Sequence, residues 1–247
     1  MLLDTFAISI SGRRANNEDA ICARPELGLF VVADGMGGYE GGEIASALAV
    51  DAICELVRRT AGDNDVTWPY RVDPARPLCE NELIVATRLA ADRIAARREG
   101  ELEQMGSTVA ILRIAGDRAI IGHVGDSRVY RLRAGALAQL TIDHSLMAQL
   151  DLTPEAAAAF PWRHVVTRAL GTPSCEPDVQ QDRAWPGDVY LLCSDGLSEV
   201  LSPQVIAALL DAPAETACRS LVDAAFAAGS RDNISAIVVG VRDTARR

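Results

Sequence analysis

A chain of 247 residues is long enough to bury one sizeable core, so length alone gives no reason to divide it. Nearly half of its residues are apolar (49%) and few are aromatic (4%), so alanine, valine, leucine and isoleucine must fill that core. The formal net charge is -10 and every one of the 24 basic residues is arginine; this balance excludes a nucleic-acid binder, which needs a basic face, and favours divalent cations, which separate carboxylates that otherwise repel.

In chain order, TFAISIS (5–11) alternates as a half-buried strand does. AICAR and LGLFVVAD follow as two strands divided by the turn PELG. The N-terminus lacks a basic stretch followed by an apolar run, and no apolar run reaches membrane-spanning length, so a soluble cytoplasmic protein is expected. After a glycine-rich stretch, GEIASALAVDAICELVRRT (42–60) has helical spacing, with Arg58 and Arg59 suited to its C-terminal end. Residues 61–79 read as loop and 80–101 as a second helix. Residues 107–141 read as a meander of four short strands. Residues 141–170 break the rhythm with Thr153-Pro154, an alanine run and Phe160-Pro161, which suggests a small helical insertion. DVYLLCSD is a strand, two helices begin after Ser202-Pro203 and near Ala214, and NISAIVVGV closes the chain as a strand.

Strands in runs, with no helix between each pair, indicate antiparallel sheets with segregated helices, an α+β architecture rather than a doubly wound one. Six cysteines show no Cys-x-x-Cys spacing, and several lie in apolar runs; they read as buried reduced thiols.

Five aspartates sit at strand ends or beside turns: Asp19 in RANNEDAIC, Asp34 in VVADGMGG, Asp126 in GHVGDSRVY, Asp195 in LLCSDGLSE and Asp232 in SRDNISAIV. One Asp-Gly is an ordinary turn. Repeated beside strongly apolar strands, such acids form a set of hard oxygen ligands suited to magnesium or manganese. Three scattered histidines and unpaired cysteines argue against zinc. Several carboxylates can hold two ions about 4 Å apart and generate a bridging hydroxide. A phosphate-cradling P-loop would need a lysine after the glycines, and the chain has none. Glycine beside Asp34 instead lets the Gly35 carbonyl turn inward as a ligand.

The motifs RANNED, VADGMGG, MGSTV, GHVGDSR, VVTRALG, CSDGL and RDNIS, in that order over residues 14–235, resemble the bacterial branch of the PPM family, the metal-dependent serine/threonine protein phosphatases also called protein phosphatase 2C. The resemblance implies one domain over 1–247, a four-layer αββα sandwich of two antiparallel sheets flanked by helices, with a flap insertion at about 143–169. It implies that Asp34 bridges two Mn2+ or Mg2+ ions, that the Gly35 carbonyl ligates one, and that Asp195 and Asp232 hold the other. Asp19 and Glu18 would act mainly through metal-bound waters, and Asp126 with Asp195 would form a third, weaker site. Asn233 belongs to the supporting set. Arg14, rather than its neighbour Arg13, matches the phosphate-binding arginine, whose guanidinium can grip two phosphate oxygens. The implied reaction is one-step hydrolysis of phosphoserine or phosphothreonine, with in-line attack by the bridging water or hydroxide.

This chain departs from the family pattern at the general acid: Met36 stands where many members have histidine, and Tyr39 lies where some bacterial relatives have one. A metal-bound water, or His144, remains open for the role, although His144 also suits the task of ordering the insertion. His123 reads as a core or supporting residue. In the flap, Phe160 and His164 replace an expected His and Asn, and Trp162 either packs the flap or meets substrate. The resemblance further implies phosphoprotein substrates, a Ser/Thr kinase as functional opponent, a monomer, and a role in general signalling or in type VI secretion control. A pseudophosphatase that binds phosphoproteins, and an enzyme acting on anti-sigma-factor antagonists, are the competing readings.

Overall fold

The structure, a computed structural model, describes residues 1–37, 41–61, 67–150, 160–162, 165–173 and 175–243. Strands β1 (Leu2–Ile10), β2 (Asp19–Arg24) and β3 (Leu29–Met36) precede helices α1 (Gly41–Thr60) and α2 (Leu78–Ala95). The meander comprises β4 (Gly106–Ser107), β5 (Val109–Ala115), β6 (Arg118–Val124), β7 (Arg128–Arg133) and β8 (Ala136–Gln139). After the insertion come β9 (Asp178–Arg183), β10 (Val189–Cys193), α3 (Asp195–Ser198), α4 (Pro203–Leu210), α5 (Ala214–Ala227) and β11 (Ile234–Arg242).

The strands form two antiparallel sheets, ordered β1-β11-β10-β7-β8 and β2-β3-β5-β6-β9, with β4 paired to the end of β3. Strand alternation builds three cores at once. Leu29, Val31 and Ala33 of β3 face α1 and α2, while Phe30 and Val32 face the other sheet. On β11, Ile237 and Val239 meet them between the sheets, and Ala236 and Val238 face α5. Inner strands covered on both faces explain the unbroken apolar runs VYLLC and IVVGV, which a half-exposed sheet would interrupt with polar residues. The resulting layers run helix, sheet, sheet, helix, as expected.

Three elements differ from the sequence reading. Helix α2 ends at Ala95, not near 101; Gly100 takes a left-handed φ of 60°, and the Arg98 guanidinium turns back to the carbonyls of Glu103 and Gly171. Strand β9, DVQQDR, was not predicted because an edge strand exposed along most of its length carries no apolar alternation. In the insertion the described residues hold one 3-10 turn, Met147–Gln149, and an isolated bridge between Ser145 and Val166; residues 151–159, where the helix was expected, lie outside the described set.

Pairing register decides what meets at the end of the sandwich. Asp19 stands opposite Asp34, Ile10 opposite Ile234, and Cys193 opposite Ala236. The start of β2, the ends of β3 and β10, and the start of β11 therefore converge.

Candidate metal centre

At that end a cleft of about 920 Å3 is lined by Asp34, Asp126, Asp195, Asp232, Glu18, Arg14 and Gly35 among others. Asp19 lies just behind, paired across the ladder to Asp34. The sequence-selected acids thus gather in one place, although they come from five separate segments.

Both backbone polar groups of Asp34 are held by Ser107 and Thr108. Its N–H donates to Thr108 Oγ1 (3.2 Å), and its carbonyl accepts from the Thr108 N–H (2.8 Å) and Ser107 Oγ (3.0 Å). Thr108 Oγ1 in turn lies 2.7 Å from Ser127 Oγ, beside Asp126. Glycine follows Asp34 for steric reasons: a Cβ on Gly35 would come within 1.9 Å of the Gly42 carbonyl oxygen and 2.6 Å of that of Glu18. Gly37, at φ 135°, supplies the turn that leaves the strand. Tyr39 lies outside the described residues.

Asp19 Oδ2 accepts hydrogen bonds from Ser194 Oγ (2.8 Å) and Ser235 Oγ (2.6 Å), which join both sheets. Asn233 braces the rim: its Oδ1 accepts the Glu18 N–H (2.8 Å), and its amide nitrogen donates to the carbonyls of Ser11 (3.0 Å) and Asn16 (2.8 Å). Arg14 projects into the cleft, Nη2 on Asp232 Oδ2 at 2.7 Å and Nε on the Arg231 carbonyl at 3.2 Å. Its neighbour Arg13 points elsewhere, its guanidinium 5.4 Å from the centre of the Phe226 ring.

The acids are short of positive charge. Asp34 keeps some surface at the cleft floor, yet enclosure by protein is the largest cause holding its carboxyl well above the usual range, followed by Asp19, Asp195, Asp126 and Asp232. Burial, then Asp126 and Asp232, push Asp195 up to about 8. Burial also pushes Asp19 up to about 6 against its two serine hydrogen bonds, and Asp126 up to about 6. Asp19 Oδ1 and Asp195 Oδ1 are buried with no hydrogen-bond partner among the described residues. Orphaned, mutually repelling carboxylate oxygens in a cleft are what a hard divalent cation satisfies, so the residues present fit such a group.

A tighter His/Asp group occurs elsewhere. His123, His144 and Asp178 offer ligand atoms all within 4.8 Å of one another. Both nitrogens of His144 are already engaged: Nδ1 accepts the Gly125 N–H (3.1 Å), so the proton of the neutral ring is on Nε2, 3.2 Å from Asp178 Oδ2. Asp178 is also held by Arg168 (2.8 Å), and the two imidazoles stack at 4.5 Å. This group is a strut between β6, the insertion and β9. No cleft acids close into a triad of that size among the described residues, which suits ions that keep several waters rather than an all-protein cage.

His144 does not line the cleft, and its backbone bonds to Gly125 and Thr167 tie down the insertion. Its ordering role therefore has direct support, and burial lowers its pKa. His123 is buried as expected. Trp162 stacks edge-on to Phe160 at 5.7 Å and stays mostly exposed; His164 lies outside the described residues. Met36 lines the cleft and has no proton to give.

A model of the protein phosphatase 2C family matches residues 10–232. The chain belongs to the protein phosphatase 2C family. Among curated members it is 40% identical to the serine/threonine protein phosphatase PstP of Mycobacterium tuberculosis over 93% of its own length and 43% of that protein's, so it spans less than half of PstP. It is 32% identical to the protein phosphatase PhpP of Streptococcus pneumoniae over 95% of each. The crystal structure of the PstP catalytic domain with two manganese ions superposes with a TM-score of 0.83 at 36% identity, covering 98% of this chain and 99% of that one. PppA of Pseudomonas aeruginosa, described as a key regulatory component of T6SS, gives 0.75 at 31% identity, covering 97% and 98%.

Within this phosphatase 2C fold, sequence reasoning missed the residues that hold or surround the acids. Glu199 lines the cleft and raises Asp195 and Asp126. Its only signal was its place four residues after Asp195, one turn on. Thr108, Ser127, Ser194 and Ser235 were legible only as motif neighbours, since hydroxyl contacts across sheets leave no spacing pattern.

Proposed function

We propose that residues 1–247 act as a metal-dependent phosphatase of phosphoserine and phosphothreonine in proteins. The observation that carries this is the cluster of enclosed carboxylates, with Asp19 Oδ1 and Asp195 Oδ1 unpartnered among the described residues, at a cleft into which Arg14 projects. Asp34 is the central ligand and the Gly35 carbonyl, Asp195, Asp232 and Asp126 complete the set, with Asp19 and Glu18 acting through water and Asn233 bracing Glu18. When bound, a pair of Mn2+ or Mg2+ ions, with a third weaker one at Asp126 and Asp195, would activate water for attack on phosphorus and offset phosphoryl charge.

Arg14 has a partner to exchange. In this structure its guanidinium is held by Asp232; an arriving phosphate would offer two oxygens to the same fork. Asn233 donates its own backbone N–H to Asp232 Oδ1 (2.9 Å), which keeps the other oxygen directed at the cleft. Water in the cleft is our choice as proton donor to the leaving alkoxide, since Met36 has no proton to give and His144 does not line the cleft. The kinship with PstP and PhpP supports phosphoprotein substrates, and that with PppA a role in type VI secretion control; our reading adds a cytoplasmic monomer in signalling that opposes a Ser/Thr kinase.

The test is activity of chelator-stripped protein on p-nitrophenyl phosphate and a phosphothreonine peptide, before and after manganese is added. Activity restored by the metal and lost in Asp34→Asn is expected. Binding of the phosphopeptide without turnover would instead identify a pseudophosphatase.

A further inference from the structure

The proposed reaction uses none of the six cysteines, all of which carry free thiols in the structure. Two of them nevertheless meet. Cys22 lies in the middle of β2, and Cys54 lies on the face of α1 that packs toward it. Their sulfurs are 2.6 Å apart, the Cys54 thiol donating to Cys22, which is about half an ångström beyond a covalent S–S bond. Cys22 is 7% exposed, whereas Cys54 is half-buried and gives a small reagent access.

We propose that Cys22 and Cys54 form a reversible disulfide, driven by hydroperoxides, that staples α1 to β2. The Cys22 thiolate attacks a peroxide oxygen; an S–O bond forms, the O–O bond breaks, and an alcohol or water leaves with the proton from the thiol. The Cys54 sulfur then attacks the sulfenyl sulfur; the S–S bond forms, the S–O bond breaks, and hydroxide leaves as water with the Cys54 proton. Two thiols are oxidised by two electrons in all, and the peroxide is reduced by two. The Cys54 hydrogen bond lowers the Cys22 pKa, which favours it as the first nucleophile, with Arg24 assisting and Glu26 and Asp51 opposing.

The position matters because the two elements frame the centre. β2 begins at Asp19, and α1 begins beside Gly35, whose neighbour across the turn is Gly42. A bond between elements already in contact closes the loop containing VADGMGG in the unfolded chain and leaves the folded layers in place. Its effect falls on stability.

The intact chain is treated with hydrogen peroxide, quenched, unfolded in an alkylating reagent and weighed. We expect six labels to fall to four and return to six after dithiothreitol, with peptide mapping assigning the missing pair to Cys22 and Cys54. The oxidised protein should melt about 5 °C higher than the reduced one, and Cys54→Ser, at the more exposed position, should abolish both changes. Retention of six labels, oxidation of either cysteine alone to a sulfinic acid, or a different pair overturns the proposal, and the wild-type mapping decides this even if a variant folds poorly. A disulfide without a higher melting temperature overturns the stapling role.

Discussion

Asp188 and Asp195 flank opposite ends of β10 and meet opposite fates. Asp188, 1% exposed at its side chain, is gripped at both oxygens by Arg133 (2.7 and 2.8 Å) and accepts the Trp185 N–H (2.7 Å). Asp195 is also enclosed, but its neighbours are Asp126, Asp232 and Glu199, and its Oδ1 has no hydrogen-bond partner among the described residues. The same pattern divides the molecule. Elsewhere, Glu82 of α2 pairs with Arg113 of β5, and Asp143 with Arg128 of β7. At the cleft, acids outnumber cationic side chains. Burial of an acid therefore has two meanings here: with an arginine fork it fixes the fold, and without one it reserves a place for a metal ion.

This contrast can be broken in five ways. The largest effect is expected from Asp34→Asn, which should lower phosphatase kcat/KM by about 10³-fold while the protein stays folded; circular dichroism and steady-state assay together read this. Next, Arg133→Met leaves Asp188 buried without its main partner and should cost about 3 kcal/mol in urea unfolding, with manganese affinity unchanged. Arg14→Ala should lower kcat/KM by about 10²-fold through loss of phosphate grip, and its stability should scarcely move because the guanidinium is largely exposed.

Ser235→Ala removes one hydrogen bond to Asp19 and should weaken manganese binding about 10-fold, measured by calorimetry. The smallest effect concerns pH. Asp19, Asp126 and Asp195 have folded-state pKa values raised to about 6, 6 and 8. Between the unfolded value near 4 and these values, the folded metal-free chain binds more protons than the unfolded one. Its stability is therefore fully present at low pH and falls as pH rises toward 8. Thermal melts of stripped protein from pH 5 to 8 should show that decline. Asp195→Asn should soften it and raise metal-free stability at pH 8 by about 1 kcal/mol, whereas Asp188→Asn should lower stability.

Much of this was legible in the sequence. Helices α1 and α5, the inner strands and the layer order follow from apolar periodicity, because those elements bury whole faces. The five aspartates stand out because an acid at the end of an apolar strand has no packing purpose. Strand β9 was hidden because its pairing is carried by backbone groups at an exposed edge, and the end of α2 because the Arg98 contacts to Glu103 and Gly171 just beyond it leave no mark in the spacing. The serine pair on Asp19 joins residues far apart in the chain, and Cys22 and Cys54 share no motif, so contact alone reveals them.

The most direct measurement is calorimetric titration of manganese into the chelator-stripped chain at neutral pH, beside Asp34→Asn. Two ions per chain, bound with release of protons as the raised carboxyls ionise, and near-complete loss of that binding in the variant, are predicted. Absence of binding, or equal binding by the variant, would contradict the view that these unpaired acids form a metal centre.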